Sequence, residues 1–552
     1  MPNRFLCRLS RVAITFVGFA LSSAIMNASA TNVYIAQSAA GAANGNSCAN
    51  AYAITFFNSA GTWGSGTTQI GAGTTVHFCG TITSSPQVQG SGTSGNPITF
   101  VWEPGARITL RYGQMISLGG SNAYLTFDGG IPCGPKTNCN TVEAANQRGY
   151  ASGQTGIIEA TANGSALANQ NANTQAFYGC ILCHDIEIRN LIIRNLYVHS
   201  LMSDSTSSAD TGNSIFQCPG GGSGCGVGLI SIHDLTVHDV GNALQIERTA
   251  INGGGNTTVN VFNVDFYHMN WAVENSGDGT RIFNFYNNYC HDTANWDTTS
   301  DAFHHNCLHM YLISGTTSVA TTFYNNLSYG DWGLCCSTAT QMYLEFATPN
   351  NFNVFNNVSI QYGLNIVPSM LYGGAGSIVA NNTWIGTGFG GGRGNTECGA
   401  YGGTALTIEN NACGGWGQYL AELDGAATFT TWDYNQYGPT GNSGNPPFVW
   451  HSSGYTNLAA FQSVCSCDTH SAVQTDFKID ANGLSLAGSP LIGAGVNLTS
   501  VCSGQPNPGL GALCFDAAGN ARPSSGGWDV GAYQHVGSST IAPSGLLSAV
   551  AQ

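Results

Sequence analysis

Five short stretches that share one pattern decide the fold of this chain: FNFYNNYCH (283–291), TFYNNLSYG (322–330), NVFNNVSI (353–360), IVANNTWI (378–385) and TIENNACG (407–414). In each stretch an apolar alternation leads to a pair of asparagines, and more apolar residues follow. The second asparagines are spaced by 38, 31, 25 and 29 residues: Asn288, Asn326, Asn357, Asn382 and Asn411. A period in this range, with β-like runs and no helical periodicity, predicts a solenoid.

The asparagine frame continues upstream and predicts what holds the corners of the solenoid together. Asn263, Asp234 and Asn195 extend it with spacings of 25, 29 and 39 residues, which indicates eight coils. An asparagine at the same corner of every coil can stack its amide on the next and pair with corner backbone groups. We therefore expect an amide ladder, with glycine supplying positive φ at the corners.

The composition excludes most other fold classes. Of 552 residues, 52 are Asn and 74 are Gly, whereas only 8% are charged. Helical bundles and coiled coils need charged, Ala- and Leu-rich helix faces, which this chain lacks. Hydrophobic residues make up 42%, so enough apolar surface exists to offset the entropy of ordering. We expect a folded, turn-rich, all-β protein.

The first 30 residues are predicted to be a secretory signal peptide. Three arginines precede an apolar run (12–21) and the small-residue sequence ASA (28–30): Arg4, Arg8 and Arg11. The run is too short to span a bilayer, and no later segment is apolar for long enough. We therefore expect a secreted protein without a membrane span, in the extracellular space or at the cell surface, with the periplasm as the alternative.

The charge of the mature chain limits its partners. Without the signal peptide, 11 basic and 29 acidic residues remain, a net charge of −18. This excess of negative charge disfavours nucleic acid as a partner. It also repels acidic polysaccharides unless a cation bridges them, so the charge favours neutral ligands or a calcium-assisted site.

The cysteines fit an oxidising compartment, because 18 remain after the signal peptide and most lie in close pairs. We expect bridges within six pairs: Cys48–Cys79, Cys133–Cys139, Cys218–Cys225, Cys290–Cys307, Cys398–Cys413 and Cys502–Cys514. Adjacent Cys335 and Cys336, and the pair Cys465 and Cys467, are left open. The sequence CILCH (180–184) fits the haem-attachment pattern, but disulfide use is favoured because the motif occurs once in a cysteine-rich chain.

Both ends of the mature chain carry motifs of a known fold. The opening VYIAQSAAGAANGNSCANAY (33–52) and the endings GSPLIGAG (488–495) and DAAGNARPSSGGWDVGAYQH (516–535) resemble those of secreted bacterial proteins of the pectate-lyase-like superfamily. The resemblance implies a right-handed parallel β-helix. It would comprise an N-terminal cap with the first coils (31–110), coils with loop insertions (111–420), C-terminal coils with a closing cap (421–536) and a tail (537–552). These motifs are specific for the fold and say little about activity.

A second strand in each coil carries the main candidate site. Inward positions align about ten residues after the asparagine: Leu244, Val273, Leu308, Met342 and Leu364. The next position faces outward and holds Gln245, Glu274, His309, Tyr343 and Asn365, and two residues later come Glu247, Tyr311 and Glu345. Glu247 and Glu274 would be roughly 8 Å apart, a separation that suits an inverting glycosidase. A solvated polar ladder is the structural alternative.

Histidines supply two further candidate groups. Between Asn288 and Asn326 one long coil carries a set that could supply an acid or base, a His/Tyr elimination pair or metal ligands: His291, Asp292, Trp296, Asp297, Asp301, His304, His305, His309 and Tyr311. A third row lies four residues after the asparagine frame: His199 and His238, then Tyr267 or His268, then His291 or Asp292. Three tryptophans follow this row at turns and could stack on sugars or pack the turns: Trp271, Trp296 and Trp332.

Members of the resembled superfamily mostly bind or cut polysaccharides, by β-elimination or hydrolysis, in a groove along one sheet. We therefore predict a secreted enzyme that cleaves glycosidic bonds, with catalytic residues Glu247, Glu274, His309, Tyr311 and Glu345. The predicted substrate-binding residues are Gln245, Trp271, Asp301, His304, His305, Tyr343, His199 and His238. A lyase would need His309 with Tyr311, or an arginine, as its base. The chain lacks the paired-aspartate and Gly-His-Gly pattern of polygalacturonase-like hydrolases. The alternative is a non-catalytic glycan-binding, adhesion or matrix protein.

Overall fold

The computed structural model is a parallel β-helix, as the asparagine repeat predicts. It describes residues 31–131, 155–161, 174–196, 214–218, 228–246, 257–269, 271–276, 281–293, 305–311, 319–332, 339–345, 351–362, 366–372, 375–386, 396–401, 403–415, 419–424, 427–440 and 446–536. A typical coil has three strands, such as Arg281–Tyr286, Tyr289–His291 and Asn306–Tyr311. Corresponding strands of successive coils pair in parallel, so the coils stack on one another.

The first two strands of each coil belong to one 25-stranded sheet, which bends at the asparagine corner. We call the part before this corner the first face and the part after it the second face. The first face contains Asn32–Ala36, Tyr52–Ala53, Thr75–Cys79, Ile98–Trp102, Ala123–Asp128, His184–Arg189, Arg281–Tyr286, Val319–Tyr324, Asn351–Phe355, Ile378–Ala380, Leu406–Glu409 and Phe429–Asp433. Two long strands run through the corner: Leu229–His238 and Thr257–Tyr267.

The second face contains Thr81–Ile82, Arg107–Leu110, Gly156–Ala160, Leu191–Arg194, Tyr289–His291, Leu327–Asp331, Val358–Tyr362, Thr383–Gly386, Ala412–Gly415, Gln436–Thr440 and Ala472–Val473. A 12-stranded sheet forms the third face: Gln114–Gly120, Gln175–Cys180, Ser214–Cys218, Asn242–Ile246, Trp271–Ser276, Asn306–Tyr311, Ala339–Glu345, Ile366–Tyr372, Thr396–Tyr401, Tyr419–Asp424, Phe448–Trp450 and Ser453–Tyr455. Its last pair is antiparallel. Short helices occur at Ile54–Phe57, Leu458–Cys465 and Thr499–Cys502, and 3₁₀ turns at Cys48–Asn50, Ala60–Thr62 and Leu510–Cys514.

The predicted amide ladder is confirmed and lies inside the solenoid. The side-chain amide of Asn326 donates to Asn357 Oδ1 over 3.0 Å, Asn357 donates to Asn382 over 3.0 Å, and Asn382 donates to Asn411 over 2.9 Å. The ladder runs from Asn288 through Asn435. The same amides also bond to backbone carbonyls across the corner, so they satisfy groups that the turn leaves unpaired.

Upstream of the pairs, the predicted asparagine frame is wrong by one position or more. Asn263 aligns with Asn287, the first member of its pair, because Phe262 pairs with Tyr286. Asn190, not Asn195, shares the corner of Asp234, because Arg189 pairs with His233. The positive φ at these corners falls on Asn and Asp as well as on glycine. Short polar side chains tolerate this left-handed conformation, so the corners do not require glycine.

The C-terminal segment folds back over the downstream coils. Leu498, Leu513 and Trp528 form one buried cluster with Tyr324 and Phe355 of the first face. On the second face, Ala532 packs against Val358 and Ile360. The C-terminal segment therefore covers the outward residues next to the asparagine corner from Tyr324 to Ala380, and part of the second face around Val358 and Ile360.

Four of the six expected disulfides are present: Cys48–Cys79, Cys290–Cys307, Cys398–Cys413 and Cys502–Cys514. The other two involve residues outside the described part of the chain, as do Cys335 and Cys336. Cys465 bonds to Cys467, which resolves one open pair. Cys180 bonds to Cys183, so both sulfurs of the haem-like motif are engaged with each other.

Across the described residues, no helix is both long and apolar enough to cross a membrane.

Candidate functional site

The third face brings together most of the predicted catalytic positions. Gln245 pairs with Glu274, Glu274 with His309, and His309 with Tyr343, so the predicted row occupies four neighbouring strands. Tyr311 and Glu345 pair two residues further along. Their Cα positions therefore lie within a patch of a few strands, each about 4.8 Å from the next.

The predicted alignment of the third face ends at Met342. The next strand, Ile366–Tyr372, places Ser369 beside Met342 and Met370 beside Tyr343. Leu364 and Asn365, which the repeat aligns with these positions, precede that strand and lie outside the described residues. The predicted spacing of the repeat is therefore wrong for this coil.

His309 does not have the exposed position that the repeat indicates. Only 6% of its surface is exposed, and its ring lies 5.1 Å from the Trp271 ring in an edge-to-face contact. Trp271 is itself 7% exposed, and His305 is completely buried. Of the two alternatives for Trp271, stacking on a sugar or packing within the protein, this structure shows packing against His309.

For most of the other residues of the predicted site, the structure does not describe the side chain. Glu247, Asp301, His304 and His199 fall outside it. Backbone positions alone are described for Gln245, Glu274, Tyr311, Tyr343 and Glu345. Among the side chains that the structure places, no three His, Cys, Asp or Glu residues form a metal site. The calcium-assisted site, one of the two alternatives that the charge favours, stays a hypothesis.

The second face carries a group of polar side chains that the structure places in full atomic contact with one another. His238, Tyr267, His291 and Tyr329 occupy one position on four successive strands, and we call this row the His–Tyr strip. Neighbouring rings stack at centroid distances of 4.6, 5.1 and 5.2 Å. Because ring faces are used within the strip, a ligand would meet the ring edges, which carry the phenol hydroxyls and any imidazole nitrogen that the protein's carboxylates do not engage.

His291 is held between two carboxylates. Its Nε2 lies 3.1 Å from Asp265 and its Nδ1 lies 2.8 Å from Asp292. Burial lowers the pKa of His291, but Asp265 and Asp292 outweigh this and raise it to about 9. At neutral pH His291 is an imidazolium that donates from both nitrogens. Burial and the Asp265 charge also raise the pKa of Tyr329, which keeps its hydroxyl protonated.

One carboxylate also joins two further histidines next to the strip. Asp239 lies 2.7 Å from Nδ1 of His238 and 3.4 Å from Nδ1 of His268. Burial alone would raise the pKa of Asp239, but the two imidazoles lower it far below its usual value. Asp239 therefore remains ionised and fixes the orientation of both rings.

The dipeptide His-Asp is the sequence signal for this arrangement, and the spacing of the repeat does not reveal it. It occurs in four corners with the same local contact, Nδ1 to the following carboxylate, at 2.7 or 2.8 Å: His184–Asp185, His233–Asp234, His238–Asp239 and His291–Asp292. All four aspartates have positive φ. The contact is thus a feature of the corner, and the long-range partner distinguishes each histidine. For His233 this partner is Glu187, and for His291 it is Asp265.

The register of the His–Tyr strip decides which of the alternative residues belong to the predicted third row. Tyr267 and His291 align with His238, whereas His268 and Asp292 follow one residue later at the corner. The expected place of His199 is wrong, because Arg194 pairs with His238. Arg194 bonds to Glu159 over 3.0 Å. Sequence reasoning missed Arg194 because the asparagine frame was misplaced in this coil.

A scan against protein-family models found no match for the chain, and a search of curated proteins found none either.

Proposed function

We propose that this protein is a secreted carbohydrate-active enzyme of the pectate-lyase-like superfamily that cleaves glycosidic bonds in a polysaccharide. The observation that carries the proposal is the His–Tyr strip with its carboxylates. It places imidazole and phenol rings at one position on four successive coils, with carboxylates beside them. A polymer of sugar units lying along the solenoid would meet hydrogen-bonding groups at each coil spacing of about 4.8 Å.

The charge pairing around the strip favours a neutral polysaccharide and hydrolysis. Arg189 bonds to Asp128 and Glu187, Arg194 bonds to Glu159, and His291 bonds to two aspartates. These cations are neutralised by the protein's own carboxylates, so they are poorly suited to neutralise the carboxylate of a uronate. Elimination needs that neutralisation, whereas hydrolysis of a neutral glycoside needs an acid and a base.

One observation favours the alternative of glycan binding without turnover. Both nitrogens of His291 are engaged with carboxylates, and its ring faces lie against Tyr267 and Tyr329. An imidazolium held in this way has no lone pair with which to accept a proton. If every group of the strip were fixed like His291, the strip would bind sugars and leave them intact.

The decisive experiment is a digest of a panel of polysaccharides with the purified mature protein, with and without calcium. New reducing ends without unsaturated uronate absorbance are expected, because hydrolysis forms no double bond. Reducing ends with that absorbance would indicate a lyase. Retention of glycans without any new ends would contradict the proposal and support the binding alternative.

Variants on the third face test the predicted catalytic row. Glu274→Ala and His309→Gln are each expected to lower turnover by about 100-fold or more, as loss of a general acid or base does. Asp476→Asn is the matched control, because this exposed carboxylate lies in the C-terminal segment. Wild-type rates in both variants, with unchanged melting temperatures, would show that the catalytic groups lie elsewhere.

A further inference from the structure

Two carboxylates beside the His–Tyr strip have different neighbours on the following coil. Asp239 and Asp292 each come directly after a histidine of the strip and bond to it. Beside Asp239 the following coil places the His268 ring, whose Nδ1 lies 3.4 Å from the carboxylate. Beside Asp292 it places Gly330, which directly follows Tyr329 of the strip. The next coil therefore brings an imidazole to the first corner and no side chain to the second.

The Asp292 carboxylate occupies the space that a side chain at position 330 would need. A Cβ atom added to Gly330 would overlap Asp292 Oδ1 and lie 2.9 Å from its Cγ, well inside ordinary contact distance. Gly330 also has a φ of +83°, which glycine adopts without strain. Glycine at this position therefore lets the carboxylate stay where its Oδ2 bonds to His291 Nδ1, 2.8 Å away.

Asp292 is the open carboxylate beside the strip. Its side chain is 44% exposed, whereas the side chain of Asp239 is 25% exposed and that of Asp265 is 4% exposed. In the part of the chain that the structure describes, these three carboxylates bond to the strip histidines. A ligand that lies along the strip would therefore meet Asp292 before the other two.

The charge at the Asp292 corner is negative whatever the protonation state of His291. His291 carries at most one positive charge, and it lies between two carboxylates, Asp265 and Asp292. One imidazolium balances one carboxylate, so the group of three keeps a net negative charge at neutral pH. Because Asp265 is buried, this charge reaches solvent through Asp292.

We propose that Asp292 is the specificity-determining residue of the strip, which admits neutral sugars and excludes uronates, and that Gly330 is its positioning residue. This inference deepens the proposed function and rests on it, because it names the substrate class of the same site. A carboxylate accepts charge-assisted hydrogen bonds from the hydroxyl groups of a neutral sugar. The same carboxylate repels the carboxylate of a uronate, and such a repulsive element separates ligands that are otherwise alike.

The first measurement compares ligands that differ only at C6. Calorimetry of the full mature chain measures the binding of β-1,4 hexamers of galactose, glucose and mannose, and of the corresponding uronic acids. The wild type should bind the neutral hexamers at least about 10-fold more tightly. Asp292→Asn keeps the size of the side chain and removes its charge, so this preference should fall by about 10-fold or more. Asp476→Asn, which removes an exposed carboxylate in the C-terminal segment, should leave the preference unchanged.

Gly330→Ala tests the positioning role. The added methyl group would displace the Asp292 carboxylate from His291, so the preference for neutral hexamers should fall as it does in Asp292→Asn. The pKa of His291, followed by NMR, should also fall by about 1 unit, because the Asp292 charge raises it in the wild type. Gly113→Ala is the matched control for backbone strain, because Gly113 has a φ of +92° and no atom within 4 Å of an added Cβ.

A second control makes the same kind of contact away from the strip. A Cβ atom added to Gly228 would lie 2.9 Å from Asp185 Oδ2, which bonds to His184 on the first face. Gly228→Ala should therefore leave both the sugar preference and the pKa of His291 at their wild-type values. The other groups that face His291 are the same in all these variants: Asp265, Tyr267, Tyr289 and Tyr329. Melting temperatures check the fold.

The outcomes separate this assignment from the proposed function. A preference that Asp292→Asn leaves unchanged would overturn Asp292 as the specificity-determining residue, while cleavage of a polysaccharide by the wild type would keep the function. A preference that falls as expected, without cleavage of any polysaccharide, would support the assignment and remove the enzymatic function. A wild type that prefers uronates, or binds no hexamer, would overturn the assignment. Wild-type values of the preference and of the His291 pKa in Gly330→Ala would overturn the positioning role.

Discussion

Replacement of Asn357 by leucine is expected to lower the free energy of unfolding by about 4 kcal/mol. Asn357 is completely buried in the amide ladder. It accepts bonds from the backbone and side-chain amides of Asn326, and it donates to the carbonyl of Phe323. Leucine would fill the space but remove these three bonds and the bond that Asn357 donates to Asn382, at about 1 kcal/mol each.

The matched control for this variant is Asn353→Ala. Asn353 lies on strand Asn351–Phe355, directly before the corner that holds Asn357, but it is only partly buried. No hydrogen bond of its side chain is found among the described residues. Its replacement should change stability by less than about 0.5 kcal/mol. Chemical denaturation of the two variants measures the difference. Equal effects at both positions would show that the ladder contributes little beyond its packing.

Replacement of His291 by leucine is expected to destabilise the protein by about 3 to 5 kcal/mol near neutral pH. Asp265, its partner through Nε2, is only 3% exposed, so the variant would leave a buried carboxylate without its counter-charge. The comparable exposed pair is His184 with Asp185, whose side chains are both about one-third exposed. His184→Leu should therefore cost no more than about 1 kcal/mol.

The pH dependence of the His291 effect has a definite sign. The folded-state pKa of about 9 is above the ordinary histidine pKa of about 6.5, so the stabilisation by His291 is complete below about pH 6.5 and is lost as the pH rises through 9. The stability gap between wild type and His291→Leu should narrow over this window. Raised pKa values of Glu409 and Asp468 act in the same direction but are common to both proteins. A gap that widens between pH 6.5 and 9 would contradict the assigned imidazolium.

The sequence predicts the parts of this protein that depend on repetition. The Asn pairs from Asn288 to Asn411 fix a corner in each coil, and the structure places their second members in one continuous ladder. Inward residues of the third face are also aligned correctly from Leu244 to Met342. Both predictions succeed because a stacked coil repeats the same local environment.

The candidate sites depend on features that repetition does not encode. Tyr329 and Asp265 both contact His291 from neighbouring coils, and these coils differ in length. The predicted asparagine frame was misplaced at Asn195. Glu409 stands at the same place before its asparagine pair as Tyr324 does, yet only Glu409 has an acidic neighbour on the next coil. Such neighbours are separated by loops whose lengths carry no periodic signal.

The sequence by itself determined that this chain forms stacked coils with asparagine corners, because the ladder and the apolar alternation are local patterns read along the chain. Only the tertiary structure decided which coil partner each polar side chain meets and which outer surfaces stay open. The burial of His309 under Trp271 and the cover that Trp528 forms over Phe355 are examples. Burial and charge pairing arise between residues far apart in sequence, and these two quantities set the protonation states of His291 and Glu409.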